Sequence, residues 1–302
     1  MSLLRSVCVR ESAFVCFVRA TIITLLVAAA FLIGDIAPVL GPAQTSSDVL
    51  PKLAPVQESL LDNDLVRDPS TGRVLLRFTN TIGNYGDGVL HVVAYRDAGG
   101  NLDAYQRVSR ADGTWHDEPV GDLAYHEGHH HYHFLGADRY RLIDTSTGLE
   151  IVLAESLVPP LCHDDDALDD LADPLALLLP WSCVSTAKVS FCLADVMIVD
   201  DTSPAYSHVP KYNSCAHNRR ADFVSMGVSV GWGDTYDRRL IGQAFDVTEL
   251  MSKTPRWYTL ESTTNPDGML WEENRDDPAS TRVQVWLGQG VPMGVGKSRP
   301  GV

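Results

Sequence analysis

Short apolar runs, cut every few residues by turn-forming clusters, are what most restrict the folds open to this chain. Arg73–Thr79 (RVLLRFT), Val89–Tyr95 (VLHVVAY), Glu150–Ala154 (EIVLA), Trp257–Thr263 (WYTLEST) and Arg282–Leu287 (RVQVWL) are of strand length. Asn84-Tyr85-Gly86-Asp87-Gly88, Asp97-Ala98-Gly99-Gly100-Asn101, Asp112-Gly113 and Asn265-Pro266-Asp267-Gly268 supply the turn chemistry that separates strands. The pattern predicts a mainly β chain, with an antiparallel β-sandwich-like core, long loops and few helices. Helical spacing is confined to short pieces near Asp164–Leu179 and Val247–Lys253. With 302 residues, 45% of them hydrophobic, the chain can bury an ample core.

The N-terminus reads as an export segment. Arg5, Arg10 and Arg19 precede an apolar run from Ala20 to Gly34, and small residues near Gly41 to Ala43 offer cleavage points. Asp35 interrupts the run before the ~20 apolar residues that a membrane span needs. Residues 1–43 are therefore expected to be a signal peptide, with an uncleaved N-terminal anchor as the rival and membrane contact only in that case. Residues 44–60 read as a linker, 61–290 as the functional domain and the Gly- and Pro-rich 291–302 as a flexible tail. The expected location is secreted or extracytoplasmic.

Four cysteines lie beyond the export segment: Cys162, Cys183, Cys192 and Cys215. An even number in an exported chain suggests two disulfides, with three connectivities open. The short loops favour Cys162–Cys183 and Cys192–Cys215. Between Cys162 and Cys183 lie six aspartates, Asp164, Asp165, Asp166, Asp169, Asp170 and Asp173. A solvated acidic face accounts for them, and Ca²⁺ is the sharper alternative because hard cations take carboxylate oxygens. Nothing there matches an EF-hand loop. With 24 Lys and Arg against 39 Asp and Glu, the net charge is −15. That charge argues against a nucleic-acid partner and favours cationic ones.

Five of the ten histidines fall in Tyr125-His126-Glu127-Gly128-His129-His130-His131-Tyr132-His133-Phe134. In an extended segment His129, His131 and His133 share one face, about 6.6–7 Å apart along the strand. Three imidazoles so placed suit Cu²⁺, Zn or Fe, and Cu²⁺ binds such sites most tightly. Single histidines in a polar loop need no such account, but an alternating triple does. His130 and Tyr132 would face the other way, and His126 is a nearby group that could face a substrate.

The segment Gly128-His129-His130-His131-Tyr132-His133 resembles the copper motif of the lysyl oxidase family, whose histidines alternate with Tyr before the last. Val74-Leu75-Leu76-Arg77-Phe78 looks like that family's VLLRF strand, and Lys188-Val189-Ser190-Phe191-Cys192-Leu193-Ala194-Asp195 is similar to its K-A-S-F-C-L-E-D run. Gly227-Val228-Ser229-Val230-Gly231-Trp232-Gly233-Asp234-Thr235-Tyr236 and then Phe245-Asp246-Val247-Thr248 continue the likeness, which covers about residues 64–290. It departs at Trp232, where the family has Cys, and in the longer acidic link before Lys188.

The resemblance implies a copper-dependent amine oxidase. His129, His131 and His133 fall on its copper ligands, and Lys188 and Tyr236 on the pair it crosslinks into lysine tyrosylquinone. The partners implied are dioxygen and a primary amine, a lysyl side chain or polyamine. The products are an aldehyde, ammonia and hydrogen peroxide. Asp234 and Asp246 flank Tyr236 in matching segments and are candidate bases, although a turn cap and a strand-end hydrogen bond would also explain them. A non-catalytic extracytoplasmic copper-binding protein and a different metalloenzyme, such as a zinc hydrolase, are the alternatives.

Overall fold

The structure, a computed structural model, describes residues 48–126, 130–151, 190–240 and 242–301. Within them the chain is mainly β, as the turn-punctuated runs predict, and every strand pairing is antiparallel. The largest sheet has seven strands. β11 (Ser190–Phe191), β9 (His131–Leu135), β8 (Trp115–His126), β7 (Leu102–Arg110), β6 (Leu90–Arg96) and β13 (Phe223–Val228) lie side by side, and β1 (Asp48–Val49) adds to β7. Three four-stranded sheets complete the fold. One runs β10 (Asp138–Asp144), β16 (Arg256–Thr264), β17 (Ser280–Leu287), β19 (Ser298–Pro300). The second runs β12 (Met197–Ile198), β14 (Trp232–Tyr236), β5 (Asn80–Asn84), β2 (Leu53–Pro55). The third runs β15 (Ala244–Asp246), β4 (Val74–Phe78), β3 (Asn63–Arg67), β18 (Gly294–Val295).

Period-two burial explains the sheets. In β4 the side chains of Val74, Leu76 and Phe78 are buried while Leu75 and Arg77 are half-exposed. Phe78 then packs edge-on to Tyr140 of β10, with ring centroids 5.0 Å apart, and stacks on Phe245 of β15 at 5.7 Å. One core thus serves several sheets. In β8, Val120 is the extra residue of a bulge, because Tyr105 pairs with Pro119 and Ala104 with Gly121. Pro119 has no N–H for the ladder and Gly121 takes φ 112°, so this sequence bends there.

Several expectations need correction. Residues 48–60, expected as linker, carry β1, β2 and the helix α1 (Gln57–Leu61), with Leu53 and Leu60 fully buried. The Leu53 N–H also donates to Glu272 Oε2 at 2.8 Å. The C-terminal segment, expected as a tail, pairs through β18 and β19 instead. Its cations hold it: Arg299 lies 4.1 Å from the Trp257 ring and Lys297 5.1 Å from that of Trp286. The helix expected at Val247–Lys253 shrinks to one 3₁₀ turn, Leu250–Ser252. Of the run Glu150–Ala154, Glu150 forms an isolated bridge to Ile143. Residues 152–154 and the helical pattern near Asp164–Leu179 lie outside the described residues. Among the described residues, no helix is long and apolar enough to cross a membrane.

Candidate functional site

The histidine motif lies at the β8–β9 hairpin, where His126 pairs with His131, Tyr125 with Tyr132 and Ala124 with His133. His129 lies outside the described residues. His130, in the turn, is exposed at φ 56°. His131 and His133 share a face of β9, with ring centroids 4.8 Å apart and planes at 50°. Two imidazoles on one metal, each at about 2.0–2.1 Å, have centroids roughly 4.5–6.3 Å apart as the angle opens from about 90° to 180°. The observed spacing falls in that window, so the two rings are spaced as two ligands of one ion would be. Among the described residues, no three His, Cys, Asp or Glu groups form a complete ligand set.

The reverse face of β9 is fixed by Tyr132. Its ring stands edge-on to Tyr125 at 5.0 Å, and its hydroxyl donates to the Arg219 carbonyl at 2.5 Å and accepts from Arg96 Nη2 at 2.7 Å. The Tyr132 N–H donates to the Cys215 carbonyl at 3.1 Å. Alternation along the strand turns this anchored face away from the two histidines.

β11 brings the second half of the site alongside. It pairs with β9 through Ser190 and Leu135 and through Phe191 and Phe134. Buried Ser190 places its Oγ 3.1 Å from Nδ1 of His133, which is itself only 1% exposed. With Nδ1 so engaged, Nε2 is the nitrogen through which His133 would bind a metal. Phe191 stands edge-on to Tyr236 at 4.5 Å, and the Cys192 N–H donates to the Tyr236 hydroxyl. Cys192 is joined to Cys215, as expected. Lys188 lies outside the described residues, as do Cys162, Cys183 and the acidic segment considered for Ca²⁺.

Tyr236 is 6% exposed and faces Asn80 across the β14–β5 ladder. Behind it lies a buried polar cluster. Asn80 Nδ2 donates to Asp138 Oδ2 at 2.7 Å and to the Tyr140 hydroxyl at 2.9 Å, and Ser262 Oγ donates to Asp138 Oδ2 at 2.7 Å. Burial pushes the Asp138 carboxyl up to about 7, against hydrogen bonds from Ser262, Asn80 and the backbone. Burial likewise raises the Tyr140 phenol well above its ordinary value.

The two candidate bases part company. Asp234, 2% exposed, is a strand residue opposite Ile82 and not a turn cap. It lies two positions before Tyr236 on β14, so both point to the same side. Asp246 makes a strand-end interaction: its Oδ1 accepts from Thr248 N at 3.0 Å and Oγ1 at 2.6 Å, and Arg73 lies 3.4 Å from Oδ2. Its pairing partner is Leu75, whereas Tyr236 pairs with Asn80, up to about 17 Å farther along the same extended run.

Sequence alone does not single out Ser190, the Cys192 N–H or His217. The His217 ring lies 5.8 Å from that of His131, at 84°. The faint signals were position only: Ser190 is two residues after Lys188, and His217 two after Cys215. No protein-family model matches this chain, and no curated protein matches it.

Proposed function

We propose that this chain is an exported copper-dependent amine oxidase, carrying out RCH₂NH₂ + O₂ + H₂O → RCHO + NH₃ + H₂O₂. The observation that carries the reading is the pairing of His131 and His133 on one strand face with a buried Tyr236 held by the adjoining strand. Copper with a lysine tyrosylquinone made from Lys188 and Tyr236 would supply the electrophile and electron sink for this reaction. His131 and His133, with His129, would hold the metal. Ser190 would hold the His133 ring by its Nδ1, and the Cys192 N–H and the Phe191 ring would fix the Tyr236 phenol. Asp234 is the better proton acceptor of the two aspartates, because it shares the buried side of β14 with Tyr236 while Asp246 caps Thr248. The Cys192–Cys215 disulfide supports export to an oxidising compartment. The charge of −15 would draw cationic amines, lysyl side chains or polyamines, toward the protein.

The test is a digest of copper-matured protein analysed by mass spectrometry, beside a peroxide assay with a lysyl peptide and a diamine. Peptides containing Lys188 and Tyr236 should be covalently joined, and His131→Ala should lose both copper and peroxide production. Copper binding with both peptides free and no peroxide would point to a copper-binding protein without catalysis. Turnover supported by zinc without peroxide would point to a hydrolase.

A further inference from the structure

We propose that the outer face of the β10–β16–β17–β19 sheet is a docking track for an acidic polysaccharide, an inference that does not depend on the copper reading above. Alternation along each strand decides which side chains share that face. Tyr140, Leu142, Tyr258, Leu260, Val283 and Val285 turn inward and are buried. Arg139 and Arg141 of β10, Arg282 of β17, Arg299 of β19 and Lys297 just before it turn outward. The register aligns them: Arg141 lies opposite Glu261, Glu261 opposite Arg282, and Gln284 opposite Arg299.

Among the described residues, these five cations pair with two carboxylates. Arg141 and Arg282 both donate to buried Glu261, and Arg141 lies 3.9 Å from Glu150. The surplus of three positive charges stands on one face of a chain whose net charge is −15. Arg139, Lys297 and Arg299 carry that surplus. Arg139 is exposed. Lys297 lies 5.1 Å from the Trp286 ring and Arg299 4.1 Å from that of Trp257, while Arg299 Nε donates to Gln284 Oε1 at 2.7 Å. Stacking occupies the flat of a guanidinium and leaves its terminal nitrogens for a planar anion such as carboxylate or sulfate. At 0.1 M salt a charge is felt over about 10 Å, so an approaching anion meets this stripe and not the net charge of the molecule.

The shape of the stripe selects the occupant. From Arg139 to Lys297 it runs diagonally, about 20 Å along the strands and about 14 Å across them. Thr259, Thr263, Ser280 and Gln284 share the face and offer polar groups to sugar hydroxyls. Trp257 and Trp286 stand edge-on to each other at 5.2 Å with cations over both, so neither ring is bare for a nucleobase to stack on or for insertion into a bilayer. The exposed large apolar side chains among the described residues lie elsewhere, so this face lacks the anchors on which protein interfaces depend. An extended chain of sugars bearing carboxylate or sulfate groups meets all of these features.

The experiment titrates the full chain with a heparin oligosaccharide, a polyuronate oligosaccharide and neutral dextran, over a series of salt concentrations. The two acidic sugars should bind and dextran should not. Three released counterions predict an affinity that falls about 20- to 40-fold between about 50 and 200 mM salt. Arg139→Gln and Lys297→Gln should each bind more weakly and fall only about 7- to 12-fold over the same range. Arg139 has no carboxylate to lose, so its variant keeps the fold and decides the matter if Lys297→Gln loosens the C-terminal strand. Lys211→Gln removes one exposed positive charge away from this sheet and should behave like the parent. Failure of both acidic sugars to bind would overturn the inference, as would equal weakening by Lys211→Gln and Arg139→Gln. Tighter binding to phosphatidylserine vesicles, single-stranded DNA or polyglutamate would overturn the choice of a polysaccharide.

Discussion

The hydroxyl of Tyr236 accepts a hydrogen bond from the backbone N–H of Cys192, the residue that follows the aromatic wall of its own pocket, Phe191. The phenol is therefore fixed at both its ring and its oxygen by one short strand, β11. The same strand, through Ser190, reaches His133. Two sheets meet there, and the chemistry proposed for the site uses a residue from each.

Tyr236→Phe tests the oxygen. The ring would still pack on Phe191, so the fold and copper binding should persist, while peroxide production should fall to background. The part-buried Cys192 N–H would lose its acceptor, at a cost of about 1 kcal/mol, the usual net worth of one hydrogen bond. Urea unfolding beside the peroxide assay measures both effects. Activity retained by the variant would remove Tyr236 from the mechanism.

The fold class was legible because short apolar runs such as VLLRF and their Gly- and Asn-rich turns state it locally. The shared face of His131 and His133 was legible because alternation on a strand needs no tertiary information. The partners of those residues were not. Ser190, the Cys192 N–H and His217 act through contacts 57, 44 and 87 residues away in sequence. No local pattern encodes such contacts. The linker and tail were misread because composition reports Pro and Gly content, whereas order there comes from distant partners, Glu272 for Leu53 and Trp257 for Arg299.

Replacing Cys192 and Cys215 with serine should destabilise the protein by about 3 kcal/mol, the chain-entropy value for a loop of 23 residues. The same change should weaken copper binding, because Cys215 anchors the loop beside Tyr132. Chemical denaturation with and without a reductant checks the first effect in the parent itself. Equal midpoints in both conditions would mean that the crosslink carries no stability.

Ser190→Ala should lower copper affinity about 10- to 100-fold, the usual cost of removing the partner that orients a ligating imidazole. The backbone pairing of β11 with β9 does not involve the hydroxyl, so the secondary structure should be unchanged. Chelator competition and circular dichroism together test this. An affinity equal to that of the parent would show that the contact of 3.1 Å with His133 does not orient the ring.

Asp138→Asn tests the buried cluster behind Tyr236. The folded protein holds the Asp138 proton to about pH 7, whereas an exposed carboxyl releases it near 3.8. Below pH 3.8 both states are protonated, and the contribution of this group to stability is fully present. Between pH 3.8 and about 7 the folded state binds the extra proton, so stability falls as pH rises, by about 1.4 kcal/mol per unit. Above about pH 7 both states are ionised and the contribution is lost. The parent should therefore lose about 2–3 kcal/mol more than Asp138→Asn between pH 5 and pH 7, since asparagine cannot titrate. Asn80 and Ser262 still have an oxygen to donate to in the variant, so it should fold. Urea unfolding at pH 5, 6, 7 and 8 gives the two curves. Parallel curves would mean that Asp138 is ionised throughout, held charged by Asn80, Ser262 and the Arg139 N–H.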